Sequence, residues 1–138
     1  MLPDWVAILI SVLALAVSVI TYMLSSRITK GQVELQIREL ISSARRHFHE
    51  MLVACCNEEG KPKEDFQSLI FSAYEDVLNA YDEACKKYLD KKVDRVSFKQ
   101  IYTDEIRKLV ENKEFKEKHS NPQSRYRYIL KVYEEWRS

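Results

Sequence analysis

The residues best equipped for chemistry fall in three clusters. Arg45, Arg46, His47, His49 and Glu50 sit within six consecutive positions. Two histidines at i and i+2 leave a helix in different directions, so they do not form the i, i+4 pair that grips zinc on one helical face. Arg45, Arg46 and His49 offer a different chemistry: cationic donors for a phosphate, or equally a solvated basic face. The second cluster is Asn79, Tyr81, Asp82 and Cys85 in VLNAYDEACKKYLD. Tyr81 and Cys85 are i, i+4 neighbours on a helix. Asn79 either joins a buried polar network or faces a ligand, or it is solvated while the tyrosines fill an ordinary core. In the third, Arg125, Arg127 and Lys131 alternate with Tyr126 and Tyr128. Such interleaving suits phosphates and stacked bases. It equally suits an amphipathic helix with packed tyrosines and exposed cations. The anion-binding set expected from these clusters is Arg45, Arg46, Arg125, Arg127 and Lys131.

Motifs of established chemistry are missing. No Gly-rich phosphate loop, HExxH or GxSxG occurs. Serines, histidines and acids are present, but no spacing gathers them. The expectation is a non-enzymatic protein with no cofactor and no metal. Cys55 and Cys56 are adjacent and Cys85 is distant, which gives neither a disulfide framework nor a CxxC clip. Buried, reduced thiols are the expectation. With 22 Lys and Arg against 21 Asp and Glu, the net charge of +1 sets up no field for double-stranded nucleic acid.

Those clusters must be positioned by something, and the N-terminus decides where. Trp5 to Leu24, WVAILISVLALAVSVITYML, carries no formal charge over its 20 residues. A helix of that length just crosses the hydrocarbon core of a bilayer, about 30 Å thick. The flank MLPD lacks the basic n-region of a cleaved signal peptide, and Tyr22, Met23 and Leu24 stand where small residues would precede a cleavage site. An uncleaved anchor at residues 1–26 is expected, with a cytoplasmic domain at 27–138. Arg27, Lys30 and Arg38 follow the apolar run and no Lys or Arg precedes it. The positive-inside rule then predicts a single-pass inner-membrane protein, N-terminus outside and C-terminal domain in the cytoplasm. Trp5 and Tyr22 lie near the two interfaces.

Within the anchor, Ala7, Ser11, Ala14, Ser18 and Thr21 recur at spacings of four, three, four and three. That places small residues on one helical face. Small faces let helices approach closely in lipid, so this is the expected association face of a homo-oligomer. The hydroxyls can bond across that interface or back to their own helix.

The remaining chain reads as helix throughout. Glycine occurs only at Gly31 and Gly60, and proline beyond the anchor only at Pro62 and Pro122. The apolar spacing predicts four amphipathic helices. The first runs from about Gly31 to Cys56, almost directly from the anchor, with Ile37, Leu40, Ile41, Ala44 and Phe48 on its apolar face. Asn57 to Pro62 breaks the chain. A second, from Lys63 to Asp90, uses Phe66, Leu69, Ala73, Val77, Ala80, Tyr81, Ala84 and Tyr88. A third follows Asp94 as N-cap, carries Phe98, Ile101, Tyr102, Ile106, Leu109 and Val110 on its apolar face, and decays in the charged run Glu111 to Lys118. The last takes Asn121 as N-cap with Pro122 in its first turn. The fold class expected is all-α: one N-terminal transmembrane helix followed by a cytoplasmic bundle of about four amphipathic helices.

Tyr74 to Glu111, with the anchor and the closing Tyr128 to Trp136, resembles a pattern in small bacterial membrane-anchored proteins with a cytoplasmic helical domain. The resemblance implies no catalytic residue. By architecture alone, the chain is also similar to membrane effectors of bacterial antiviral defence. That likeness implies a nucleotide-sensing cytoplasmic domain. The partners expected are thus the lipid bilayer, further copies of the chain, and either a nucleotide or a protein.

Overall fold

A computed structural model describes residues 3–55 and 66–138. Five helices follow in order: α1 (Asp4–Cys55), α2 (Gln67–Leu89), α3 (Arg95–Glu111), α4 (Lys113–His119) and α5 (Arg127–Arg137). Among the described residues there is no strand, and the chain is all-α. The break expected at Asn57 to Pro62, the helix start at Lys63, and Cys56 lie outside the described residues.

The apolar run and the first amphipathic helix are one element. α1 is unbroken for 52 residues, about 78 Å at helical rise. No proline interrupts it after Pro3, and it runs on through Ser25, Ser26 and Gly31, where Thr29 Oγ1 donates to Ser25 O at 2.9 Å. One interior glycine costs only about 1 kcal/mol relative to alanine. This helix is long and apolar enough to cross a membrane, with mean hydropathy 2.5 in its apolar stretch and none of that stretch buried. The hydroxyls of the small-residue face turn inward on the helix itself. Ser11 and Ser18 donate to Ala7 O and Ala14 O at 2.9 Å, and Thr21 donates to Val17 O at 2.8 Å. Their donors are thereby satisfied without water.

The lower half of α1 joins the bundle through Ile37 and Ile41, both buried, with Ala44 and Phe48 packed beside them. α2 runs antiparallel to it: the Phe48 ring meets Tyr74 at 5.6 Å, while Glu34 lies beside Asp94 just past the end of α2. α3 then descends parallel to α1, bringing Glu105 to Arg45. α5 rises parallel to α2. α2 is therefore surrounded, which explains why Leu78 and Cys85 are fully buried although they lie off the single apolar stripe read from sequence. Leu40, Leu69 and Ile101, expected in the core, are instead 44%, 47% and 48% exposed. They sit at the margins of stripes narrower than their periodicity implies.

The helix ends test the capping expectations. Asp94 Oδ1 accepts from Ser97 N at 2.7 Å and opens α3, as its sequence position implies. The expected decay after Glu111 is instead a short helix, α4, because Asn112 Oδ1 accepts from Glu114 N at 2.9 Å and restarts the winding. Phe115 on α4 is fully buried. Asn121 does not open the last helix. Its Oδ1 accepts from Gln123 N at 3.0 Å and its carbonyl from Ser124 N, forming a turn, and α5 begins only at Arg127.

Candidate anion-binding cleft

The late start of α5 has a cause in α2. Asp82 Oδ1 accepts from Tyr128 N at 3.0 Å and Ile129 N at 3.1 Å. A carboxylate from another helix thus satisfies amides in the first turn of α5, the role a local cap usually fills. Burial raises the Asp82 pKa above its ordinary value, against the two amides, which pull it down. The native state then binds a proton more readily than the unfolded chain. The stability Asp82 contributes therefore falls as pH rises from the ordinary value of 3.8 through the raised native one. Asp82→Asn keeps the acceptor and removes the charge, so it should flatten that slope and leave the protein at least as stable at neutral pH. Asp82→Ala leaves two amides without their partner and should cost about 1–3 kcal/mol. Thermal melts of the detergent-solubilised full chain across the acid range check both; equal destabilisation by Asn and Ala would contradict the capping role.

With α5 so placed, a cleft of about 750 Å³ opens between it, α4 and the Ser120–Ser124 turn. Four cations line it: Lys116 from α4, and Arg127, Lys131 and Arg137 from α5. Glu134 is the acid among the lining residues, and Ser120, Asn121 and Ser124 add polar groups. Arg127 is held in place: its guanidinium stacks over the Tyr128 ring at 4.9 Å and Nη2 donates to Tyr128 Oη at 3.0 Å. Arg137 lies over Tyr133 at 5.6 Å, and the Tyr133 hydroxyl donates to Glu111 at 2.9 Å. Aromatic rings on the flanks therefore orient two of the four cations. Planar guanidinium forks with a neighbouring ammonium suit a phosphate or carboxylate.

The five cations expected from sequence are divided. Arg127 and Lys131 share this cleft. Arg45 pairs with Glu105 at 3.4 Å in a separate groove between α1 and α3. Arg46 is exposed on α1. Arg125 pairs with Glu75 of α2 at 3.6 Å. Lys116 and Arg137 were not singled out in the sequence. Lys116 reaches the cleft only through the tertiary placement of α4, which no spacing reveals. Arg137 lies ten residues after Arg127 on α5, about 80° away round the helix, so spacing carries no signal for it either.

Other clusters resolve into structure. Tyr81 donates to Glu105 Oε2 at 2.6 Å and ties α2 to α3, and its pKa is pushed up by burial and by that carboxylate. Asn79 is exposed beside a groove lined by Leu40 and His47. Cys85 is fully buried, and burial raises its thiol pKa, which removes thiolate reactivity. Cys55 is also buried, and among the described residues it is bonded to no other sulfur. His47 and His49 are exposed, and no group of three or more His, Cys, Asp or Glu fit to hold a metal occurs among the described residues. Tyr126 is fully buried between Phe115 at 6.2 Å and His119 at 4.8 Å, so it is a core residue in this conformation.

No family model, curated protein or solved structure matches the chain.

Proposed function

We propose that this is a non-enzymatic, oligomeric membrane protein whose helical domain, residues 27–138, binds an anionic ligand and couples that binding to a membrane-spanning anchor at residues 1–26. The observation that carries it is the unbroken α1, which makes the apolar span and the first wall of the bundle a single rigid body. A change in bundle packing around Ile37 and Ile41 is then transmitted directly as a tilt or rotation of the span. Arg27, Lys30 and Arg38 orient the domain toward the cytoplasm, on the inner face of a bacterial membrane. Ala7, Ser11, Ala14, Ser18 and Thr21 form the association face, free of hydroxyl donors that would demand a partner. The cleft with Lys116, Arg127, Lys131 and Arg137 is the ligand site, and its chemistry fits a nucleotide or another phosphate.

Two measurements test the reading. Crosslinking in native membranes should give an oligomer ladder that collapses toward monomer in the double variant Ser11→Leu with Ser18→Leu. Ligand binding is read from melting of the full chain with inorganic phosphate and with cyclic and linear nucleotides. Replacing Arg127 and Lys131 together by glutamine should weaken the ligand that stabilises best by at least about a hundredfold, since charge-assisted bonds contribute roughly 1.5–3 kcal/mol each. A monomer in membranes, or no shift with any anion, overturns it.

The second reading is a passive anchor with an adaptor domain for a protein partner. Phe66 and Leu69, 38% and 47% exposed and three residues apart at the start of α2, favour it. Exchanging residues 5–24 for an unrelated monomeric anchor separates the two. An adaptor keeps its function and a transducer loses it.

A further inference from the structure

Two large apolar side chains on α1 stay outside both the core and the apolar run. Ile28 is 63% exposed and Leu35 is 56% exposed. Leu35 stands 11 positions after Leu24, where the apolar run ends, about 16 Å along the helix. That distance carries it past the headgroup layer, roughly 5–8 Å deep, and into water. Lipid therefore does not cover Leu35, and neither does the bundle. Ile37 and Ile41, which join the core, leave α1 about 150° further round, at roughly 100° per residue. The bundle hangs on one side of α1, and Ile28 and Leu35 face away from it.

Their spacing says what meets them. The steps of four and three that begin at Ala7 run on past Thr21 through Ser25, Ile28, Gln32, Leu35 and Glu39. One unbroken helix carries the whole series. Such a series is a seven-residue repeat. It drifts by about 20° per heptad on a straight helix, and a left-handed supercoil of two helices takes up the drift. Ile28 and Leu35 fill one of the two seam positions, and Ser25, Gln32 and Glu39 fill the other. The polar members select the partner. The Gln32 amide both donates and accepts, so in a parallel pair it bonds to its own copy, and a polar residue at such a position fixes register. Glu39 packs there beside position 38 of the facing helix, which in a second copy is an arginine. Two-fold symmetry forms this opposite-charge contact twice. Arg38 and Glu39 are both exposed in the single chain. Two apolar layers are too few to hold free chains together. Spans that are already in contact supply the effective concentration.

We propose that Ile28, Gln32, Leu35 and Glu39 form a short parallel coiled coil with a second copy of this chain, with the two bundles on its outer sides. The proposal rests on the reading that α1 spans a membrane and associates through its small-residue face. Insertion in one orientation makes the copies parallel. The coil extends the pairing of the spans to the level of Ile37, where the bundle core begins. Movement of either bundle then reaches both spans.

The test is oxidative crosslinking of the full chain in native membranes through single added cysteines. The parent chain, with its own three cysteines, sets the background. A disulfide needs Cα atoms within about 7 Å of each other. Seam positions of a two-stranded coil meet that limit and outward positions do not. Ile28→Cys and Leu35→Cys should give dimer severalfold above background. Leu40→Cys should stay at background, because Leu40 is also exposed and apolar but lies about 140° round the helix from Leu35. Leu35→Glu places a second acid beside Glu39 and should abolish the Ile28→Cys dimer, whereas Leu35→Ile should retain it. Background yield at 28 and 35 overturns the coil, as does an equal yield at 40 or an Ile28→Cys dimer that survives Leu35→Glu. Ala14→Cys, within the span, separates the two levels. Dimer at 14 without dimer at 28 or 35 overturns only the coil and leaves the spans paired. No dimer at any of the three overturns the association of the spans, and the coil with it.

Discussion

Tyr126→Ala should destabilise the helical domain by about 3–5 kcal/mol, the cost of removing a buried aromatic side chain. That is a large part of the total stability of a small domain, about 5–15 kcal/mol. Tyr126 has no solvent exposure and fills the junction of α4 and α5, against Phe115 and beside His119. Its hydroxyl is buried without a hydrogen-bond partner among the described residues. Tyr126→Phe deletes that orphan group and keeps the ring, so it should leave stability unchanged or raise it by about 1 kcal/mol. Denaturant melts of the detergent-solubilised full chain, followed by circular dichroism, read both. The contrast discriminates between the two roles open to a tyrosine flanked by Arg125 and Arg127. If Tyr126 stacked on a base, the alanine variant would fold normally and only lose ligand. A folded, stable Tyr126→Ala protein would mean that the α4–α5 junction is packed differently from this structure.

The interleaved stretch shows where sequence reading succeeds and where it stops. Alternation of cations and tyrosines from Arg125 to Lys131 was compatible with stacking and with packing, because both need a ring at the same positions. Burial decides between them for Tyr126, and burial depends on α4, whose presence the charged run Glu111 to Lys118 concealed. Asn112 restarts the helix and Phe115 anchors it, yet a single aromatic in seven residues leaves no periodic trace. The shift of the last helix from Asn121 to Arg127 has a similar origin. Asn121 and Pro122 have the composition of a helix start, but the carboxylate that caps α5 comes from Asp82, 46 positions earlier in the chain. A tertiary cap leaves no local signature. Long apolar stripes behaved otherwise. Ile37, Ile41, Ala73, Val77, Tyr81 and Phe98 were all expected inside and are buried, since a 3.6-residue period over many turns has one geometric meaning. The cleft was half legible. Arg127 and Lys131 are i, i+4 neighbours on one helix, whereas Lys116 joins them only through the fold.

Gly31→Pro tests the coupling on which the proposed function depends. Gly31 lies near the junction of the apolar span and the bundle, and a β-carbon built there meets nothing within 4 Å. Steric conflict with the rest of the protein therefore does not complicate substitution. Proline in a helix interior removes one backbone bond, clashes with the preceding turn and costs about 3 kcal/mol or more, with a kink. Alanine at the same place strengthens the helix by about 1 kcal/mol. The bundle core begins beyond this point, at Ile37, so the proline variant should keep a folded domain and an inserted anchor. What it should lose is the rigid link. Crosslinking through Ala14→Cys in membranes reports the packing of the spans. Its yield should respond to a stabilising anion in the parent and in Gly31→Ala, and become insensitive in Gly31→Pro while binding by melting shift persists. A proline variant whose spans still respond would show that the signal bypasses α1. A parent whose spans never respond to a bound anion would leave the helix as a tether, and the adaptor reading would then account for the continuous α1 better than transduction does.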